Sequence, residues 1–482
     1  MKGPRPQSCV SLSLFFVSFA ALAAEPGEMT YVQTVRNAAK SSAAPAIKDL
    51  LHPTATAISP DGRNLYVTAE NGGALLAFSR EAATGAVTYI GVRKNGADRV
   101  ARMTSPHALA IAPSGDRVIV ASNAEATLTE FVLRPHTGEP LFRGRLAGGE
   151  GGVSGLDGVC ALTFSPDGTE LYALAHGGDA MSVFAFDQTG DLAFRQSLRQ
   201  GTDGVGGLRT PRSLAVSPDG RHIYIASFLD DTLTLVERGP AGGLAARGPA
   251  IAGAAPVPPN PIAISISPDG AFVYLVSYKD NALRVYARDP VSGVLTQSAA
   301  VDAGTSGFDA LFQPTAMVMS PDGRYVYLAG IGRHAVSSFA RDPQSGGLSP
   351  RQRFAMGQPG IDGLNGPSAL SLSPDIGGLY VLCRGDNSMA VFSIDSDGDG
   401  LSNGLETLED LDGDSIQNYL DDDSNGNGEP DSEEGSAERD ADQLPDFRDL
   451  DNDGVPDTAV GNGDSDGEGI ANRDDPQAGP PN

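Results

Sequence analysis

The 482 residues carry 34 Lys plus Arg against 61 Asp plus Glu, a formal net charge of −27, and include 60 Gly and 34 Pro, no Trp and only 6% aromatic residues. The charge is lopsided: residues 395–482 hold 28 acidic and three basic side chains, a net of −25, which leaves −2 for the first 394. A near-neutral body with an acidic end lacks the basic face that nucleic acid requires and disfavours docking on anionic lipid, while the Gly and Pro content predicts short strands and many turns.

The chain opens on Lys2 and Arg5, continues through an apolar run over 10–22 and closes on Ala21, Ala23 and Ala24. That order predicts a secretory signal peptide over residues 1–24. The run is too short and Ser-rich for a membrane span and no second one follows, so the mature chain is expected to be exported, without a transmembrane segment. Cys9 precedes the apolar run and does not suit lipid attachment. Cys160 and Cys383 fall in strands of different repeats and are expected as buried free thiols, neither of them catalytic.

The tetrapeptide Ser-Pro-Asp-Gly recurs at 59–62, 165–168, 217–220, 267–270 and 320–323, with variants at 112–115 and, with an inserted Ile376, from Ser373. Its prolines, 60, 113, 166, 218, 268, 321 and 374, are spaced 53, 53, 52, 50, 53 and 53 residues apart. Pro sets the second turn position, Asp bonds locally and Gly takes the left-handed place, so each tetrapeptide should join two strands. An apolar strand precedes it and an apolar-Tyr-apolar strand follows, as at Leu65-Tyr66-Val67 and Ile223-Tyr224-Ile225. A third strand, a Gly turn (Gly85, Gly190, Gly293) and a fourth strand complete each unit. Four strands in about 50 residues match a β-propeller blade, so residues 25–394 are expected to form an all-β, seven-bladed propeller. The seventh unit runs out after its third strand; the segment 30–36, similar to the fourth strand at 87–93, should pair there and close the ring.

The Ser-Pro-Asp-Gly, Leu-Tyr-Val and Val-Phe rhythm resembles the lactonase-type seven-bladed propellers, related to YVTN repeats, over about residues 30–394. That family includes 6-phosphogluconolactonases, although propellers host many unrelated functions. Aligning the units on the turn proline places Thr54, His107, Val159, Arg212, Ile262, Thr315 and Ser368 at the channel mouth. His107 in Ser-Pro-His-Ala and Arg212 in Thr-Pro-Arg-Ser resemble the Pro-His and Pro-Arg positions of the lactonase-like enzymes, which implies a base and an oxyanion-holding cation for ring-ester hydrolysis. This frame holds no carboxylate; Asp157, Asp309 and Asp362 lie on connecting loops. His52, His136, His176, His222 and His334 form no metal-ligand pairs and are expected on the surface or in loops.

The acidic end, residues 395–482, is patterned. Asp395, Asp397, Asp399, Asn403 and Glu406 occupy positions 1, 3, 5, 9 and 12 of a twelve-residue frame with Gly400 at position 6, the ligand order of a calcium loop. The frame returns at Asp410, Asp412, Asp414, Asn418 and Asp421, at Asp423, Asn425, Asn427, Asp431 and Glu434, and at Asp464, Asp466, Glu468, Asn472 and Asp475; Asp449, Asp451, Asp453 and Asp457 give a fifth with Val460 in its last place. Three residues separate the first two loops and one the next two, which leaves no room for EF-hand helices. The end-to-end loops resemble thrombospondin type 3 repeats, implying an irregular, Ca2+-ordered tail. Taken together, the sequence is expected to encode a secreted binding or adhesion-like module whose partners are calcium and an extracellular protein, glycan or small molecule; the alternative is a lactone hydrolase working through His107 and Arg212.

Overall fold

A computed structural model describes residues 28–37, residues 47–434 except 203, 240–241, 253–256, 303, 306, 398, 400, 412, 415 and 428–429, and residue 448. The leader expected over 1–24 lies outside these residues.

Seven antiparallel four-stranded sheets form the body. Blade one runs Pro53–Ile58, Asn64–Ala69, Ala74–Arg80 and Val87–Lys94, and its order repeats in every unit. The first strands of consecutive blades contact one another around the whole ring, blade seven touching blade one, so they line the axis. The second strands are buried along their length, as in Phe272–Ser277 and Gly378–Cys383, with only Arg117 of blade two partly exposed, because neighbouring blades cover both faces. This explains why second strands read as continuous apolar runs while fourth strands such as Leu295–Asp302 alternate.

The repeated tetrapeptides form the turns that define one face of the disc. In the first, Gly62 N–H donates to Ser59 O at 2.8 Å, Ser59 Oγ donates to Asp61 at 2.5 Å, and Gly62 sits at φ +70°. Ile376 is no insertion: it occupies the glycine position of the seventh turn at φ +59°, and Tyr380 keeps the spacing from Pro374 that Tyr66 keeps from Pro60. A β-branched residue is costly in that conformation, and burial of the Ile376 side chain beside Leu379 and Phe392 offsets the strain.

Glu28–Arg36 pairs antiparallel with Ser388–Asp395 and supplies the fourth strand of blade seven, so the terminus closes the ring as its likeness to 87–93 suggests. Closure has a cost at the joint. In four other blades the second-strand tyrosine donates to a carbonyl in the next blade's outer turn: Tyr66 to Gly138, Tyr224 to Gly293, Tyr274 to Gly346 and Tyr380 to Gly85, at 2.6–2.8 Å; Tyr172 of blade three donates instead to Glu170. Blade seven has no such turn, and the buried Tyr327 hydroxyl finds no acceptor. Likewise the turn aspartates Asp167, Asp219, Asp269 and Asp375 meet Arg238, Arg288, Arg341 and Arg80 of the following blade, whereas Ile394 stands where blade seven would present its arginine to Asp322. The chain leaving blade seven fills this gap: Tyr325 Oη donates to Ser396 O at 3.0 Å and Tyr419 Oη stands 3.5 Å from Asp322. No described helix is long and apolar enough to cross a membrane.

Candidate active site at the channel mouth

Each first strand starts at the face opposite the tetrapeptide turns. The residue six before the turn proline points into the axial cavity, which measures about 520 Å³ and is lined by Thr54, His107, Cys160, Arg212, Ile262, Thr315 and Ser368. Cys160 replaces Val159 in this set, a correction of one residue. Val159 is the strand's first residue, equivalent to Pro106, and is fully buried; a shift of one along a strand moves the side chain to the other face. Cys160 is therefore a half-buried thiol lining the channel, while Cys383 is buried as expected, and neither forms a disulfide. Burial pushes the Cys160 thiol up to about 11, so it is an inert group at neutral pH.

Apart from the apolar Ile262, hydrogen bonding separates these positions into two kinds. Thr54, Cys160, Thr315 and Ser368 donate to the carbonyl at the start of the next blade's first strand, on Pro106, Pro211, Pro367 and Pro53, at 2.8–3.3 Å. Those side chains stitch the ring together. His107 and Arg212 make no such bond and face the cavity; Arg212 instead lies 5.6 Å over the Phe228 ring, and its buried Nε has no acceptor.

A second ring surrounds the first, ten residues after each turn proline: Glu70, Asn123, His176, Phe228, Tyr278, Ile331 and Arg384, all half-buried. Their backbone N–H groups donate at 3.0–3.1 Å to the carbonyls of His52, Ser105, Gly158, Thr210, Asn260, Gln313 and Gly366. Every one of those acceptors has a left-handed backbone, with φ between 49° and 67°. The device is the same in each blade while the side chain it presents differs. Sequence reasoning missed this ring because its members share no chemistry; the constant offset from the turn proline would have found it.

Two members supply what the first ring lacks. Glu70 provides a carboxylate: burial works against its charge, but Ser105 Oγ and His52 Nδ1, each 2.8 Å away, hold its pKa below the ordinary value. Arg384 provides a second guanidinium, its pKa lowered by burial and its Nε without an acceptor. The other loop carboxylates act elsewhere: Asp362 pairs with Arg36 at 2.5 Å, and the charge of Asp157 bears on His176. Asp309 begins a short 3-10 turn, Asp309–Leu311.

His107 is the neutral group among these charges. Burial lowers its pKa to about 4, with Arg384 adding to the effect, Glu70 opposing it, and His176 and Arg212 lowering it further. At neutral pH its imidazole is thus a free base. His52 and His176 lie in loops as expected, yet at the mouth, with His176 Nε2 3.0 Å from Asn123. His222 departs from expectation: it is buried in the second strand of blade four and accepts from Arg288 at 2.8 Å.

The opposite face carries the start of the acidic end. Asp395 is the last residue of blade seven's third strand, and its carboxylate lies within 4.8 Å of those of Asp397 and Asp399. Glu406, on the single helical turn Asn403–Glu406, comes within 4.8 Å of Asp399, while the Asn403 amide of the same turn donates to Ser396 Oγ at 2.8 Å. Asp431, expected in the third loop, accepts there from the N–H and hydroxyl of Ser424 and also comes within 4.8 Å of Asp399 and Glu406. In the second loop Asp410, Asp414, Asn418 and Asp421 accept from nearby backbone N–H groups. In the third, the amides of Asn425 and Asn427 donate to Glu434. Asp412 and the frames at 449–457 and 464–475 lie outside the described residues.

The fold is that of a seven-bladed β-propeller with a polar axial mouth. The family described as "Lactonase, 7-bladed beta-propeller" matches over residues 16–153, 146–258, 249–361 and 314–408, and the chain belongs to that family. No curated protein matches it. Among solved structures, the periplasmic gluconolactonase of Pseudomonas aeruginosa is 24% identical, with 64% of this chain and 87% of that chain covered and a TM-score of 0.51. A Bacteroides uniformis protein provisionally described as a 6-phosphogluconolactonase is 21% identical over 66% and 87%, with a TM-score of 0.54. Hydrazine synthase of Kuenenia stuttgartiensis, 19% identical over 73% and 97% with a TM-score of 0.53, has the same fold. At these identities the likeness is one of fold, and chemistry must be argued from the mouth.

Proposed function

We propose that the protein hydrolyses a lactone, a cyclic ester of the sugar-acid type, at the channel mouth. The carrying observation is a neutral imidazole, His107, sharing one cavity with two guanidinium groups that have unmet donors, Arg212 and Arg384. In this reading His107 takes a proton from water as the water oxygen attacks the ring carbonyl. The arginines hold the oxyanion that forms. Collapse then breaks the ring C–O bond, the imidazolium returns its proton to the departing alkoxide, and the hydroxy acid formed releases its carboxyl proton to solvent as it leaves. Glu70 orients the mouth and stabilises the transient imidazolium. Membership of a lactonase family favours this reading over the adhesion-like one, and the buried, convergent charges of the mouth suit a small anionic ligand better than a flat protein or glycan surface.

We infer in addition that the chain is exported, on the order of charge, apolar run and small residues in 1–24. The hydrolase reading is tested by a panel of five- and six-membered lactones, unphosphorylated and phosphorylated, followed by pH-stat against the uncatalysed rate. Turnover that is lost in His107→Gln supports it. Absence of turnover across the panel, or turnover indifferent to that change, would overturn it.

A further inference from the structure

We propose that the carboxylates where the chain leaves blade seven form a calcium site that clasps the ring closure and joins two separate acidic loops. Its centre is Glu406, fully buried, with both carboxylate oxygens lacking any hydrogen-bond partner. These oxygens converge with those of Asp399 and Asp431, and Asp399 converges in turn with Asp395 and Asp397. Asp397 Oδ2, Asp399 Oδ2 and the buried Asn403 Oδ1 also lack partners. No Lys or Arg among the described residues pairs with Asp397, Asp399 or Glu406.

A buried charge without a partner is expensive, and three or more together are not tolerated without a counter-charge. A divalent ion answers all of these at once. The donors are hard oxygens only, without nitrogen or sulfur, which disfavours zinc and the later transition metals. Five carboxylates meet in two triads that share Asp399, and a site that rich in protein oxygens suits the six to eight ligands of calcium better than magnesium, which keeps much of its water.

The position of the site gives it a role. Asp395 lies opposite Glu28 in the pairing that closes the ring. Ser402 Oγ donates to Ala83 O, and a Cβ on Gly404 would collide with the Ala82 carbonyl, so the loop is seated on blade one's outer turn. Ser396 O accepts from Tyr325 of blade six. The loop therefore bridges blades six, seven and one where the missing turn of blade seven leaves a gap, and an ion that orders the loop also holds the closing strand.

Hydrogen exchange on the full chain tests this, reading peptides over 28–36 and 388–395 with calcium, magnesium or chelator. With calcium at a hundredfold its dissociation constant, exchange there slows about a hundredfold. Glu406→Gln removes a buried charge, so without calcium it exchanges no faster than the natural chain, and it gains nothing from calcium. Asp431→Asn likewise loses the response. No slowing with calcium, equal slowing with magnesium, or full slowing in Glu406→Gln would each overturn the proposal; full slowing in Asp431→Asn would refute the joining of two loops.

Discussion

The axial mouth on one face of the disc and the outer rim of the other face are electrical opposites. At the mouth, cations have donors to spare: Arg212 and Arg384 each keep a buried Nε without an acceptor. On the turn face, about 20 Å away along six-residue strands, Glu406, Asp397 and Asp399 keep acceptors without donors. Both differ from the rest of the turn face, where Arg80 bonds Asp375, Tyr380 Oη and Gly62 O together and leaves little unmet. Where several unmet charged groups converge a ligand can be seated, and where charges pair across blades the ring is held together. One fold thus offers an anion seat at one face and a cation seat at the other.

The largest expected effect is at His107. His107→Gln keeps size and polarity but removes the base, and lactone turnover should fall about 10²- to 10⁴-fold in kcat, measured by pH-stat. The pH profile sharpens the point. The neutral imidazole is the active form and its pKa is about 4, so activity should persist as pH falls through 6.5 and halve only near 4. A midpoint at 6.5 would show an exposed histidine and break the account of the mouth.

Next come the two classes of arginine. Arg384→Met should lower kcat/KM about 10²- to 10³-fold by removing an oxyanion donor, with little change in a urea melt. Arg80→Met should do the reverse. Its side chain is 1% exposed and its loss leaves Asp375 and Tyr380 without their partner, a destabilisation of about 3 kcal/mol with the kinetics of the residual folded protein unchanged. Equal behaviour of the two variants would erase the distinction between ligand seat and ring support.

Much of this architecture was legible from one proline. Its near-constant spacing gave seven blades, and the likeness of 30–36 to 87–93 gave the closing strand, because blade packing depends on turn chemistry and apolar alternation that survive in every unit. His107 and Arg212 were legible for the same reason. Cys160 was misplaced by one residue, since blade three begins on Val159 where other blades have proline, and a slip of one reverses inside and outside. Glu70 and Arg384 went unread because the backbone device that presents them accepts any side chain. Asp431 was assigned to its own loop because a frame of twelve cannot reveal a contact with Glu406, 25 residues earlier.

The smallest effect tests whether the first ring truly divides into stitches and tools. Thr54 lies in the same frame as His107, but its hydroxyl donates to Pro106 O at 2.9 Å and meets Thr68 Oγ1 at 2.9 Å. Thr54→Val keeps the shape and deletes two buried hydrogen bonds, so denaturant melts should register a loss of about 2 kcal/mol. Activity per folded molecule should not change, because the hydroxyl is spent on the neighbouring blade and offers nothing to a ligand. A variant with intact stability and impaired turnover would mean that Thr54 turns toward substrate, and the mouth would then have to be redrawn around a hydroxyl as well as around charge.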